Sequence, residues 1–321
     1  EGLNLFVPAG TSALVRERMA HLNPAAAKWR LHELNQRDEE LQQVEILDRG
    51  NISTRLVRSV DDLDVHARFA EPISLVRSLM PGAQIATLTP AEISFACNGL
   101  AFARARLSAT SGNFSRVPEV VFGIGAEERL LDGSSFSAFE KLVAGIGEVR
   151  HSEGPRDHRL WRMHPERWLE SLVVQNVGAL ERELDPEWRY SQVPAFCASD
   201  RAMIDVLAVT RGGRLAVLEL KADEDIHLPL QGIDYWARVA WHHERGEFQK
   251  LGYFTGCELS TQPPLLIMVA PALHLHPATD TLLRYISPEI EWRLLGIDER
   301  WRAGLKVIFR KRRQGKRQDV A

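Results

Sequence analysis

An α/β fold on a mixed central sheet flanked by helices, preceded by a separate α+β domain, is the class this sequence predicts, and three observations predict it. Two apolar runs meet at a Gly-Gly turn between Met203 and Lys221, which reads as a pair of strands. A helical stretch from about Leu228 to His243 follows, with Pro229 where a first-turn proline belongs. Pro264 to Ala270 is then apolar without alternation, as a strand covered on both faces must be. Strands, helix and buried strand in succession call for a sheet with helices packed on it.

The other elements follow from the same signals. His164 to Val174 reads as a helix start and an amphipathic run continuing through Leu180, and Tyr190 to Phe196 as a strand. Beyond the buried strand, a helix is expected over Thr279 to Ile286 and strands over Ile290 to Ile297 and Leu305 to Phe309. In the N-terminal half, Arg16 to Asn35 reads as a helix. Val44 to Val57 reads as two strands joined across Asp48-Arg49-Gly50-Asn51, a hairpin signal. Ile73 to Met80 and Phe136 to Ile146 suggest helices, and Glu119 to Gly123 a short strand. Gly123-Ile124-Gly125-Ala126 lacks both the lysine of a phosphate loop and the third glycine of a dinucleotide turn, so it is an ordinary turn. The polar segment Ser152 to Arg159, with Gly154-Pro155 inside it, is the best linker and divides the chain into domains 1–155 and 156–321. The first would serve substrate recognition, dimerisation or partner binding.

Composition bounds the function. A length of 321 residues and 45% apolar content support a substantial core, and a net charge of −3 excludes a globally basic protein of the histone or ribosomal kind. The three cysteines, Cys97, Cys197 and Cys257, have no close spacing, which fits a reducing compartment and argues against a disulfide framework or a structural zinc. His242-His243, His274 and His276 lack cysteine partners and read as surface or strand residues. No run approaches membrane-spanning length and no secretory signal opens the chain, so a cytoplasmic protein is expected.

Asp205, Glu219 and Lys221 interrupt the two apolar runs where a buried sheet should carry no charge. Glu219 and Lys221 are two apart on one strand and share a face. A strict two-residue loop at Gly212-Gly213 would pair Asp205 with Leu220 and leave Glu219 on the other face. A loop of three or five residues, or a bulge with a left-handed glycine, sets Asp205 opposite Glu219 instead; Arg211-Gly212-Gly213 suits that arrangement. Two carboxylates and an ammonium on one face would suit Mg²⁺.

Asp205, then Glu219-Leu220-Lys221 after a hairpin, resembles the PD-(D/E)XK nuclease superfamily over roughly Pro165 to Phe309, with Ile204 where the family's usual proline stands. The resemblance implies a restriction-endonuclease-like core and hydrolysis of phosphodiesters, with DNA the expected polymer. It implies that Asp205, Glu219 and the backbone carbonyl of Leu220 hold Mg²⁺ or Mn²⁺, and that Lys221 orients or deprotonates the attacking water. Many relatives carry a Gln, often followed by a Tyr, on the next helix. Gln231 and Tyr235 match that pattern, with a plain helix face over Trp236, Val239 and Ala240 as the other reading. The first core helix often supplies a glutamate: Glu170 is the better match and Glu166 the fallback, and either could simply complement the helix dipole.

The C-terminal run containing Arg310, Lys311, Arg312 and Arg313 is a candidate for phosphate contact, or else a solvated terminus. A homodimer would suit cutting of both strands of a duplex. Two further readings stay open: a non-catalytic nucleic-acid-binding or assembly protein that keeps the fold, and hydrolysis or transfer on a small phosphorylated substrate.

Overall fold

The structure, a computed structural model, describes residues 2–35, 37, 39–47, 54–109, 116–197 and 203–313. The chain forms two compact units, one of Glu1–Val57, Val173–Trp301 and Leu305–Ala321, the other of Arg58–Leu172 and Arg302–Gly304.

The first unit opens with β1 (Gly2–Pro8), α1 (Ala13–Met19), β2 (Lys28–Asn35), β3 (Glu40–Val44) and β4 (Thr54–Leu56). β2 lies between β1, its parallel neighbour, and β3, its antiparallel one. The helix expected over Arg16 to Asn35 is thus corrected to a short helix and a strand. Asn23 Oδ1 accepts the Ala25 N–H at 3.0 Å across Pro24, a side-chain turn that ends helical continuation. Beyond it Leu31 is fully buried between exposed Arg30 and half-buried His32, an alternation that suits a strand.

The second unit contains α2 (Asp62–Arg68), α3 (Ala70–Leu79), β5 (Gln84–Thr89), β6 (Glu92–Cys97), β7 (Leu100–Ala109), β8 (Arg116–Phe122), β9 (Arg129–Leu130), α4 (Phe136–Val149), α5 (Arg159–Arg162) and most of α6 (Pro165–Gln175). Its strands form an antiparallel meander in sequence order. Phe95, Phe102 and Ala105 from the sheet meet Phe69, Val76, Phe139 and Ile146 from the helices in one core, giving the α+β character expected of this half. The Ser152 to Arg159 linker is corrected, because the surrounding chain is tied down by a buried guanidinium. Arg150, 1% exposed, donates to the carbonyls of Leu160 at 2.7 Å, Met163 at 2.6 Å and Asn98 at 3.0 Å, and lies 4.5 Å from the Trp168 ring centre.

The first unit resumes within α6 and continues with α7 (Val177–Leu180), β10 (Leu184–Cys197), β11 (Met203–Thr210), β12 (Leu215–Leu220), α8 (Leu228–Glu244), α9 (Glu247–Lys250), β13 (Leu265–Pro271), α10 (Thr279–Tyr285), β14 (Trp292–Ile297) and β15 (Val307–Arg313). The sheet order is β15-β14-β13-β12-β11-β10-β4. β12, β13 and β14 run parallel and the other pairings are antiparallel, so the sheet is mixed as expected. Every residue of β12 and β13 is buried. Leu207, Val209, Leu215, Val217, Leu266 and Met268 pack with Ile233, Trp236 and Val239 of α8; each fully buried aliphatic side chain contributes roughly 1.5–3 kcal/mol.

Two further expectations are corrected here. β3 and β4 are not a hairpin: β4 pairs with β10, which covers Leu56, while β3 stays in the small sheet. The proposed turn, Asp48 to Asn51, lies outside the described residues. The division at 155/156 fails because residues 1–57 belong to the large sheet's unit, through β4, a bridge from Leu22 to Ile286, and the Arg18–Asp234 ion pair at 2.6 Å. Among the described residues no helix is long and apolar enough to cross a membrane.

β4 is further held by a buried histidine. His242 of α8 makes a 3.1 Å hydrogen bond to Thr54 Oγ1 through Nε2 and a 2.5 Å one to Glu247 Oε2 through Nδ1. Burial pushes its pKa below the ordinary imidazole value, against an opposing pull from Glu247. A depressed histidine pKa means that the unfolded chain binds the proton more readily. Stability is therefore full above about pH 6.5 and declines as pH falls towards the folded value. Urea denaturation at stepped pH should show this slope, and His242→Gln should flatten it; an unchanged slope would exclude His242 as its source.

Candidate functional site

The site is built by a turn. Arg211, Gly212 and Gly213 form a three-residue loop closed by Thr210 N–H to Arg214 O at 2.8 Å and Gly213 N–H to Thr210 O at 2.8 Å. Gly213 has φ +80°, and a Cβ there would stand 2.3 Å from the Glu258 carbonyl oxygen, so glycine is required twice over. The loop is also tied to its surroundings, with Ser260 N–H donating to Gly213 O at 2.8 Å and Arg214 pairing with Glu291 at 2.6 Å.

This loop sets the odd register. Val209 pairs with Leu215, Leu207 with Val217 and Val206 with Leu218. One step further along the same register, Asp205 stands across from Glu219. Counting from the hydrogen-bonded Thr210–Arg214 pair, that step is a non-hydrogen-bonded position, where facing Cβ atoms are about 4.5–5.5 Å apart. Asp205, Glu219 and Lys221 therefore share the face that carries Leu207, Val209, Leu215 and Val217.

At that point the strands stop pairing regularly, and a carboxylate takes over from the main chain. The ladder ends at Val206–Leu218, and the Leu220 N–H donates to Asp205 Oδ2 at 3.0 Å. β12 stays bound to β13 through Lys221 N–H and Val269 O at 2.9 Å. Lys221 Nζ lies 3.2 Å from Glu219 Oε1 and 3.8 Å from Asp225 Oδ2, and the Glu219 side chain is only 2% exposed. In the loop that follows, Asp223 lies 3.8 Å from His274 and Glu224 lies 3.9 Å from His276.

Asp205, Glu219 and Asp225 bring three carboxylates to the neighbourhood of the Lys221 ammonium, with Glu219 the buried one. Among the described residues no three His, Cys, Asp or Glu side chains converge as a metal cage. Two hard carboxylates beside a backbone carbonyl nevertheless fit Mg²⁺, which uses one or two carboxylates and completes its shell with water and substrate oxygens.

The remaining sequence candidates divide. Gln231 is in the first turn of α8, the helix that leaves the Lys221 end of β12 through the acidic loop, and its Oε1 is buried without a hydrogen-bond partner among the described residues. Tyr235 packs against the large core, with the Arg238 guanidinium 5.8 Å from its ring, and Asp234 on the same helix is taken by Arg18. That ion pair brings α1 onto α8, a contact that spacing along the helix does not encode. Glu170 belongs to the second unit, where it is 7% exposed and 3.2 Å from Arg167, and Glu166 occupies the first turn of α6.

The basic run lies in β15, an edge strand of the large sheet, with Arg310, Lys311 and Arg312 exposed to solvent. Arg310 donates to Leu180 O at 2.9 Å, Lys311 pairs with Asp280 at 2.7 Å and Arg313 donates to Ile286 O at 2.7 Å. Charge on an edge strand also discourages pairing with another chain.

Two stability outcomes follow. Gly213→Ala should cost about 1–3 kcal/mol in denaturant unfolding, while Gly212→Ala, whose added Cβ meets only Thr210 Oγ1 at 3.9 Å, should stay within about 0.5 kcal/mol; equal losses would refute the turn geometry. Lys221→Met, which strands a buried carboxylate, should cost about 3 kcal/mol or more, and adding Glu219→Gln should recover much of it. Additive losses would show that the two side chains are not coupled. Compared with known proteins, the chain matches no family model and no curated relative, so the site stands on its own geometry.

Proposed function

We propose that the chain is a Mg²⁺-dependent nuclease of the PD-(D/E)XK kind, with a restriction-endonuclease-like core in its first unit and DNA as its polymer. The observation that carries this reading is the register that brings Asp205 across from Glu219, with Lys221 Nζ 3.2 Å from the Glu219 carboxylate at the end of a central strand. A structural core has no need of such charges, and their burial is costly unless they serve a ligand or reaction. The carboxyl end of a parallel strand, where its loop departs, is also where α/β sheets place their ligands.

Asp205, Glu219 and the Leu220 carbonyl would hold the ion. Bound there, Mg²⁺ would supply Lewis-acid polarisation of the phosphate and a more acidic water. Asp205 already accepts the Leu220 N–H, which orients its carboxylate, and the Lys221 N–H bond to Val269 O fixes the peptide that bears the third ligand. Lys221, held between Glu219 and Asp225, directs its ammonium protons at the attacking water or at the charge developing on the phosphate oxygens. Gln231 Oε1, a buried acceptor, would orient a water in the same shell. Tyr235 would play a supporting role through packing under the α8 face. Cys97 and Cys257 are free thiols, which suits the reducing cytoplasm in which such an enzyme would act. Cutting both strands of a duplex would call for two copies of the chain.

The test is incubation of the purified full chain with labelled single-stranded, duplex and branched DNA and with RNA, in Mg²⁺ or Mn²⁺. The wild type should cleave at least one DNA substrate, and Asp205→Asn, Glu219→Gln and Lys221→Ala should each lose about 10²-fold or more while keeping the native circular dichroism spectrum. Cleavage that survives Asp205→Asn and Lys221→Ala, or a wild type inert on every substrate, overturns the reading.

A further inference from the structure

The edge of the large sheet carries a cleft with chemistry that the proposed nuclease residues do not use. Asp280, Leu283 and Arg284 of α10, Trp292 of β14, and Arg312 and Arg313 of β15 line a cleft of about 470 Å³. Its single carboxylate is already committed, since Lys311 Nζ lies 2.8 and 2.7 Å from the two oxygens of Asp280. Arg284, Lys311, Arg312 and Arg313 against Asp280 make four positive groups and one negative, a net +3. Arg313 gives one N–H to Ile286 O, and Arg284 and Arg312 make no hydrogen bond or ion pair among the described residues.

The wall of the cleft adds an independent sign. Trp292 is only 8% exposed, and its Nε1 is buried with no hydrogen-bond partner among the described residues. An indole nitrogen only donates, so the partner it calls for is an acceptor. Arg284 and Arg313, which line the same cleft, call for an acceptor that carries negative charge. Their donors outnumber what the two oxygens of a carboxylate accept, and a tetrahedral phosphate suits them better.

We propose that this cleft is a phosphate-binding subsite that takes a phosphodiester of a nucleic-acid strand, with Arg284 and Arg313 neutralising it and Trp292 Nε1–H fixing one oxygen. The identity of the polymer rests on the nuclease reading; the preference for phosphate does not. Register places the two sites on one sheet. Trp292 pairs with Leu266 on β13, two residues from Met268, which pairs with Glu219. The backbone separation is roughly 7 Å along the strands and 10 Å across them, which a strand of several nucleotides spans.

Fluorescence anisotropy with a labelled single-stranded oligonucleotide in Ca²⁺, with inorganic phosphate as competitor, tests this on the full chain. Arg284→Ala/Arg313→Ala should weaken binding about 10-fold and reduce the slope of log Kd against log salt by about 1, and Trp292→Phe should weaken it about 3-fold. Unchanged affinity and salt slope in both cleft variants overturn the subsite, whatever the cleavage assay shows. Binding lost in those variants from a wild type that cleaves nothing upholds the subsite and defeats the nuclease. A chain that binds inorganic phosphate but no oligonucleotide overturns the assignment to nucleic acid.

Discussion

The left-handed conformation of Gly213 is the constraint on which the site depends. β12 is buried on both faces, so Leu215 and Val217 on one side and Ala216 and Leu218 on the other are nearly equivalent to a hydrophobic core. Apolar pattern alone therefore specifies the register of this hairpin weakly. A slip of one residue would exchange the faces and carry Glu219 away from Asp205. The turn makes the choice through a positive φ that only glycine adopts cheaply and a backbone approach to Glu258 that leaves no room for a Cβ.

Consequences spread from that register to the sheet. β12 is flanked by an antiparallel strand on one side and a parallel one on the other. Beyond Val206–Leu218 its ladder with β11 ends, while its ladder with β13 continues to Lys221. The gap is where main-chain groups need other partners, and Asp205 supplies one to Leu220. A carboxylate there is thus structural and chemical at once: it satisfies a buried N–H and adds negative charge beside Glu219. Lys221 pairs with Glu219 at 3.2 Å and offsets that charge.

Legibility in the sequence followed the strength of local signals. The stretch from Met203 to Glu244 was readable because alternation, a glycine pair, a first-turn proline and misplaced charges agree within some forty residues. Lys28 to Asn35 was not. Its Leu31 and Leu34 also suit helical spacing, and only pairing with β1 and β3 makes it a strand. The return of residues 1–57 to the large sheet was equally hidden, because three residues of β4 and one ion pair from Arg18 carry it. Ser152 to Arg159 looked like a linker by composition, and the carbonyls held by Arg150 show why polar and glycine-rich chain can still be fixed. Near the Lys221 end of β12, the hold of Asp225 on Lys221 depends on a loop fold that spacing does not encode.

Charge is distributed in a way that neither site explains alone. The proposed metal centre gathers carboxylates and the edge cleft gathers arginines, on a chain whose total is −3. An acidic centre repels a phosphodiester until a divalent ion reverses the local sign. Affinity for a polyanion would then have to come from elsewhere on the surface, and an edge strand is well suited to supply it. Its outward arginines cost little desolvation, protect the sheet edge from pairing, and stay available when the centre is empty of metal. Separating attraction from chemistry in this way keeps the carboxylates of the centre away from the arginines, which would otherwise neutralise them and compete with the ion.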